Sequence, residues 1–239
     1  MKNIKLITFD LDDTFWDIKP VIIKAEKETR EWIHNQVGEI DWGSMSDFLG
    51  YRKELIEDDA SLEWDISLLR KKIYEKKLKD IILDDSKREQ IISESYKIFM
   101  AKRHEVLFYD DVYDSINKLS SKYHLGVLTN GNADIYKFEV GKFFDFSISS
   151  LDVKSNKPAE PHFSKAIENY EDISYEEVLH IGDDQTNDVY GAHMLGINTL
   201  WFNRRNEGWD LDIPEPKQFC HWKNFLHLIE SEYESKSSF

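Results

Sequence analysis

Over 239 residues the chain sets 31 Lys and Arg against 46 Asp and Glu, a formal charge of −15, with 41% hydrophobic and 13% aromatic residues. This composition supports a packed core and disfavours nucleic acid and anionic membrane as partners, because the mean field repels phosphate; an anionic small substrate then needs a local island of positive charge. The single Cys220 excludes an internal disulfide and a thiolate zinc site, and with no apolar run of about 18 residues neither a signal peptide nor a membrane span is read, so cytoplasm is the expected location.

The first apolar run, KLITFD (5–10), reads as a buried strand and ends among three acids, Asp10, Asp12 and Asp13. Two carboxylates about 4 Å apart repel by roughly 4 kcal/mol at an effective dielectric near 20, so the cluster requires solvation or a counter-charge. From 19 to 104 only helical periodicity follows, in four segments: 19–37, 46–59, 61–78 with Leu62, Ile66, Leu69 and Ile73 on one stripe, and 86–103. Ser46 and Ser61 read as N-caps, and Ser86 with Glu89 has capping-box spacing.

From 105 onward short apolar strands alternate with helices. The strands are HLGVLTN (124–130), FDFSIS (144–149), EVLHIGD (177–183) and INTLWFN (197–203); the helices are read at 110–123, 133–143, 161–170, 186–196 and 221–233. The expected fold class is α/β: a doubly wound, Rossmann-like parallel sheet of five strands, with core domain 1–18 plus 105–239 and an inserted four-helix domain at 19–104. Residues 204–220 read as a surface loop whose Arg204–Arg205 pair is solvated, and the tail 234–239 as frayed.

In such a sheet, ligands bind at the carboxyl ends of the strands, near the point where strand order reverses. After successive strands come Asp10-Leu11-Asp12-Asp13-Thr14, then Thr129-Asn130-Gly131, then a loop with Lys157-Pro158, then Gly182-Asp183-Asp184 followed by Asp188. Several of these have ordinary structural readings. Asp13 is read as a turn residue, Thr129 and Asn130 as either a turn or a ligand site, and Asp188 as either a metal ligand or a brace for its loop. The eight His show no metal-ligand spacing and are read as structural or surface residues.

The order FDLDDT, VLTNGN, Lys157, GDDQTND resembles the haloacid dehalogenase superfamily, whose signatures are D-x-D-x-[TV], a strand ending in Thr or Ser, an isolated Lys, and G-D followed by Asp. The helical insertion resembles the cap of its phosphatases. The resemblance implies Asp10 as nucleophile, Asp12 as acid and base, and Thr129, Lys157 and backbone N–H groups near Asn130 as phosphate ligands. It also implies Mg²⁺ held by Asp10, the Asp12 carbonyl and Asp183, with Asp184 and Asp188 in support.

The implied reaction is hydrolysis of a small phosphorylated metabolite through an aspartyl-phosphate. The stretches around 7–33, 129–136 and 180–197 look like the bacterial branch acting on 5-amino-6-(5-phosphoribitylamino)uracil phosphate and FMN, in riboflavin metabolism. Trp16 stands where that branch is expected to carry Tyr, and residues 38–100 show little that matches. Trp16 is read either as stacking on a planar substrate or as packing where the chain leaves the core. The competing functions are a phosphatase of nucleotides or sugar phosphates, a 2-haloacid dehalogenase, and a non-catalytic phospho-binding module.

Overall fold

The structure, a computed structural model, describes residues 3–81, 83–168 and 170–233; the tail 234–239 lies outside them. The chain divides into two compact units, Met1–Asp17 with Leu107–Phe239, and Ile18–Val106.

The first unit is built on a parallel sheet of β1 (Leu6–Phe9), β2 (His124–Thr129), β3 (Phe146–Ser149), β4 (Val178–Gly182), β5 (Asn198–Phe202) and β6 (Lys217–Phe219), in the order β3-β2-β1-β4-β5-β6. Strand order therefore reverses at β1, which pairs with β2 on one side and β4 on the other. Every residue of β1 and β4 is buried, as expected for central strands covered on both faces. Alternation sends Leu6 into one core with Leu128, Phe163, Val178 and Ile197, while Phe9 points the other way, into rings that include Phe144, Trp222 and Phe225. Each such fully buried ring contributes about 1.5–3 kcal/mol by its removal from water.

Among the described residues the sheet has six strands, not five. β6 falls in the stretch expected to be a surface loop, and it was invisible because it is a short edge: Lys217 and Gln218 face water and only Phe219 is buried. The segment 133–143, expected to be one helix, is two 3₁₀ turns, Ile135–Lys137 and Glu139–Phe143. They pack so tightly that a Cβ on Gly141 would lie 2.5 Å from the Ile135 carbonyl oxygen. The expected helix at 186–196 opens as a π-helical turn, Gln185–Tyr190.

The second unit holds α1 (Ile18–Val37), α2 (Met45–Asp58), α3 (Ile66–Leu78) and α4 (Asp85–Arg103). Its interior has one cluster of Ile33, Tyr74, Leu78 and Ile91 and another of Leu62, Leu69 and Ile73. Glu26 on α1 takes ion pairs from Arg30 and Arg70, and the Arg70 guanidinium lies 3.5 Å over the Phe99 ring. The caps are Ser44, Asp65 and Asp84, not Ser46, Ser61 and Ser86. At the two acidic caps Asp65 Oδ1 accepts from Leu68 N and Asp84 Oδ1 from Lys87 N, both at 2.8 Å, while Ser61 lies in a separate 3₁₀ turn, Ala60–Glu63, capped by Asp59.

Candidate active site

Register places the site. Phe9 lies opposite Ile181 on β4 and Val127 on β2, so the next residue, Asp10, emerges between Leu128 and Gly182 at the reversal point. Its backbone N–H donates to Ile181 O at 2.9 Å. Past β4 come Asp183 and, one turn on, Asp188, whose side chain folds back beneath Gly182. A Cβ on Gly182 would sit 2.2 Å from the Asp188 carboxyl carbon, so only glycine admits this approach. Asp10, Asp183 and Asp188 thereby bring carboxylate oxygens within 4.8 Å of one another.

Lys157 reaches this group from the loop after β3. Its ammonium donates to Asp10 Oδ1 at 2.8 Å, Asp188 Oδ1 at 2.6 Å and Leu128 O at 2.6 Å, using all three protons with the side chain 1% exposed. Asn130 fixes the other end of this residue: Lys157 N donates to Asn130 Oδ1 at 2.7 Å, and Asn130 Nδ2 donates to Lys157 O at 2.9 Å. The Asn130 side chain thus holds the lysine loop, a role that sequence reasoning did not assign. Thr129 Oγ1 accepts from Gly131 N at 2.9 Å, which is the turn reading, and its own hydroxyl hydrogen still has to be donated elsewhere.

The charge balance is uneven. Three carboxylates (−3) against one ammonium (+1) leave −2 in a largely buried space. Burial pushes Asp10 up to about 8 against the pull of Lys157, and burial together with Asp188 raises Asp183 well above the usual carboxylate range. Burial would raise Asp188 too, but the Lys157 ammonium and His180 override it and hold Asp188 well below that range. Lys157 is itself held charged by its two acids despite its burial. An all-oxygen donor set with a deficit of two positive charges fits a hard divalent cation.

This imbalance has a measurable sign. Asp10 and Asp183 are the two acids of this rim that burial raises, and they govern its linkage. Their raised values mean that the folded chain keeps protons the unfolded chain has lost, so stability falls as pH rises through about 8. From pH 7 to 8.5 in EDTA we expect a loss of about 1 kcal/mol, about 2 to 4 °C in Tm, cancelled by a divalent cation. A Tm that rises over this interval, or ignores the cation, would contradict the charge assignment.

Behind the acids lies a pair that the sequence reading passed over. Thr8 and His180 are cross-strand partners, and the threonine hydroxyl lies 2.9 Å from His180 Nδ1 while His180 Nε2 lies 3.3 Å from Asp188 Oδ1. Burial lowers the imidazole's pKa, so the ring is neutral; an ionised Asp188 can only accept, which sets the proton on Nε2 and lets Thr8 donate to Nδ1. The available signal was a polar residue at matching positions of two otherwise apolar strands.

The remaining expected residues are placed as follows. Asp12 lies outside the carboxylate trio, with Oδ1 accepting from Trp16 Nε1 at 2.8 Å. Asp13 takes φ +60, as a turn residue does. Asp184 Oδ1 accepts from the backbone N–H groups of Thr186 and Asn187 at 2.9 and 2.6 Å, so this acid caps the turn that carries Asp188. Thr14 Oγ1 donates to Asp183 Oδ1 at 3.1 Å.

Trp16 is 0% exposed, boxed by Phe15, Phe108 and Phe138, and offers no face for a substrate ring, so of its two readings stacking is corrected and packing fits. Arg204 is likewise not simply solvated. It donates to the Tyr109 hydroxyl at 2.9 Å, pairs with Asp17 at 3.4 Å, and joins Arg205, Asp13 and Asp183 in lining a cleft of about 410 Å³.

The description of the haloacid dehalogenase-like hydrolases matches residues 4–196. Among relatives, the 5-amino-6-(5-phospho-D-ribitylamino)uracil phosphatase YigB of Escherichia coli (strain K12) is 28% identical, over 87% of this chain and 89% of its own. A glyceraldehyde 3-phosphate phosphatase of Pyrococcus abyssi (strain GE5 / Orsay) is also 28% identical, over 83% and 81%. A crystal structure described as a 2-haloacid dehalogenase from Pseudomonas syringae pv. Tomato DC3000 superposes with a TM-score of 0.89 at 29% identity, covering 95% of this chain and 99% of that one. Because the matched span runs through all four strand-end segments that converge at the β1 rim, the chain belongs to the haloacid dehalogenase-like hydrolases.

Proposed function

We propose that this hydrolase is a Mg²⁺-dependent phosphomonoesterase acting on a small cytoplasmic metabolite. Asp10, held through Oδ1 by Lys157, attacks phosphorus; the phosphorus–oxygen bond of the ester breaks, and the leaving oxygen takes a proton from Asp12. Asp12, now a carboxylate, removes a proton from the water that attacks the aspartyl-phosphate, which releases inorganic phosphate and restores Asp10. Lys157 and the Thr129 hydroxyl stabilise the transferring oxygens. Mg²⁺ held by Asp10, Asp183 and the Asp12 carbonyl would supply positive charge to those oxygens. Asp188 keeps Lys157 aimed, and selectivity is assigned to residues of the helical unit Ile18–Val106.

One observation carries this reading over dehalogenation, the activity named for the Pseudomonas neighbour: three carboxylates gathered around a single ammonium, with the separate acid Asp12 beside them. A halide leaving group needs no proton, and displacing it calls for no dication. The match to the Escherichia coli phosphatase along most of both chains favours its ribitylaminouracil phosphate, or FMN, as substrate. Purified protein should hydrolyse p-nitrophenyl phosphate with added Mg²⁺, lose about 10²-fold or more of that rate in excess EDTA, and release no chloride from 2-chloropropionate. Full turnover in EDTA would sink the mechanism. A substrate panel in which glyceraldehyde 3-phosphate or pyrimidine nucleotides outrun both flavin-pathway phosphates would dispose of the substrate assignment alone.

A further inference from the structure

The Asp12 side chain stands apart from the carboxylate trio, and what the structure supplies in their place is a tryptophan. Residues 11 to 16 form a tight turn in which Thr14 N and Phe15 N both donate to Leu11 O, at 3.2 and 2.7 Å, bringing positions 12 and 16 side by side. The turn is clamped twice from outside: Tyr109 N donates to Phe15 O at 2.8 Å, and Trp222 Nε1 donates to Thr14 O at 3.0 Å. The Trp16 ring is fixed by Phe108 and Phe138, with centroids at 5.1 and 5.4 Å, and by Phe15 at 6.3 Å. Its indole N–H, the one polar group of that ring, donates to Asp12 Oδ1 at 2.8 Å. A buried indole N–H needs an acceptor, and this one has taken the proposed acid.

We infer that Trp16 is a positioning residue for proton transfer: its N–H fixes Oδ1 of Asp12, and with it the plane and direction of the carboxylate that protonates the leaving group. The inference rests on the phosphatase reading above and adds to it a residue that touches neither substrate nor phosphate. A rigid ring packed on three sides holds a carboxylate far more narrowly than water does, and protonation of a leaving oxygen is sensitive to that direction. The need for it grows with the basicity of the leaving group. Phenyl phosphate should depend on Trp16, whereas p-nitrophenyl phosphate, whose leaving group departs as the anion, should depend on it little.

The test compares kcat/KM, which reports events up to formation of the aspartyl-phosphate, across substituted phenyl phosphates for the unmodified protein and Trp16→Phe. The expected result is a loss about 10-fold greater for phenyl than for p-nitrophenyl phosphate, with KM little changed and a steeper dependence on leaving-group basicity. An equal loss on every ester, the mark of a general folding defect, overturns the inference, as does no loss at all. No turnover of any ester by the unmodified protein would instead overturn the phosphatase reading, and this inference with it.

Should Trp16→Phe fail to fold, nitrogen-15 NMR of the unmodified protein and of Asp12→Asn decides the matter. The Trp16 indole proton should be downfield and slow to exchange in the former and move upfield in the latter. A resonance indifferent to Asp12 overturns the inference.

Discussion

Asp10→Asn abolishes p-nitrophenyl phosphate hydrolysis, a fall of at least about 10⁴-fold, without unfolding the protein. The amide cannot attack phosphorus, and the other two acids of the trio are engaged: Asp188 is bonded to Lys157 and His180, and Asp183 to Thr14. The fold should tolerate the change, because asparagine keeps an oxygen for the Lys157 ammonium and removes one of the three negative charges crowded at the β1 rim. In EDTA at pH 8 the variant should therefore melt no lower than the unmodified protein, while Mg²⁺ raises its Tm by less. Residual turnover above about 1% would remove Asp10 from the role of nucleophile.

Lys157→Met produces the second large effect, and it strikes activity and stability together. The ammonium sits between Asp10 and Asp188, and its loss leaves two buried carboxylates facing each other with no cation between them. Breaking one side of a buried ion pair costs about 3–5 kcal/mol, which in a chain of this size is about 6 to 20 °C in Tm. Activity should fall by about 10³-fold or more, since the charge that stabilises the transferring oxygens goes too. Lys157→Arg should rescue neither property, because three acceptors converge on a single nitrogen and a planar guanidinium cannot meet them from there. Melting curves with p-nitrophenyl phosphate assays check both halves; an active Lys157→Arg would show that charge alone suffices.

Much of the site was readable before any coordinates, because a parallel sheet sends its chemistry to one edge. Apolar strands read as ending at Asp10, Asn130 and Asp183 made that edge visible, and the family resemblance named the partners to expect there. Other parts were hidden for specific reasons. Asn130 closes the predicted strand, and only the fold of the loop after β3 shows that its side chain grips Lys157. Thr8 and His180 lie 172 positions apart and meet only through the register of β1 with β4. Trp16 could be read as an available ring or as packing because an aromatic next to an acidic turn has no exposure in one dimension; its burial is decided by Phe108 and Phe138, far along the chain. β6 escaped because an edge of three residues with two facing water carries no hydrophobic pattern.

By itself, then, the amino-acid order determined the alternation of strand and helix, the helical insertion after the first strand, and which residue types crowd the strand ends. These are local properties, set by hydrophobic period and by turn chemistry within a few residues of one another. Tertiary structure decided which acids share a lysine, which serves as a cap, and which is held by an indole. Those outcomes depend on distances of about 3 Å between segments far apart in sequence, and only strand register and the packing of the rings around them set such distances.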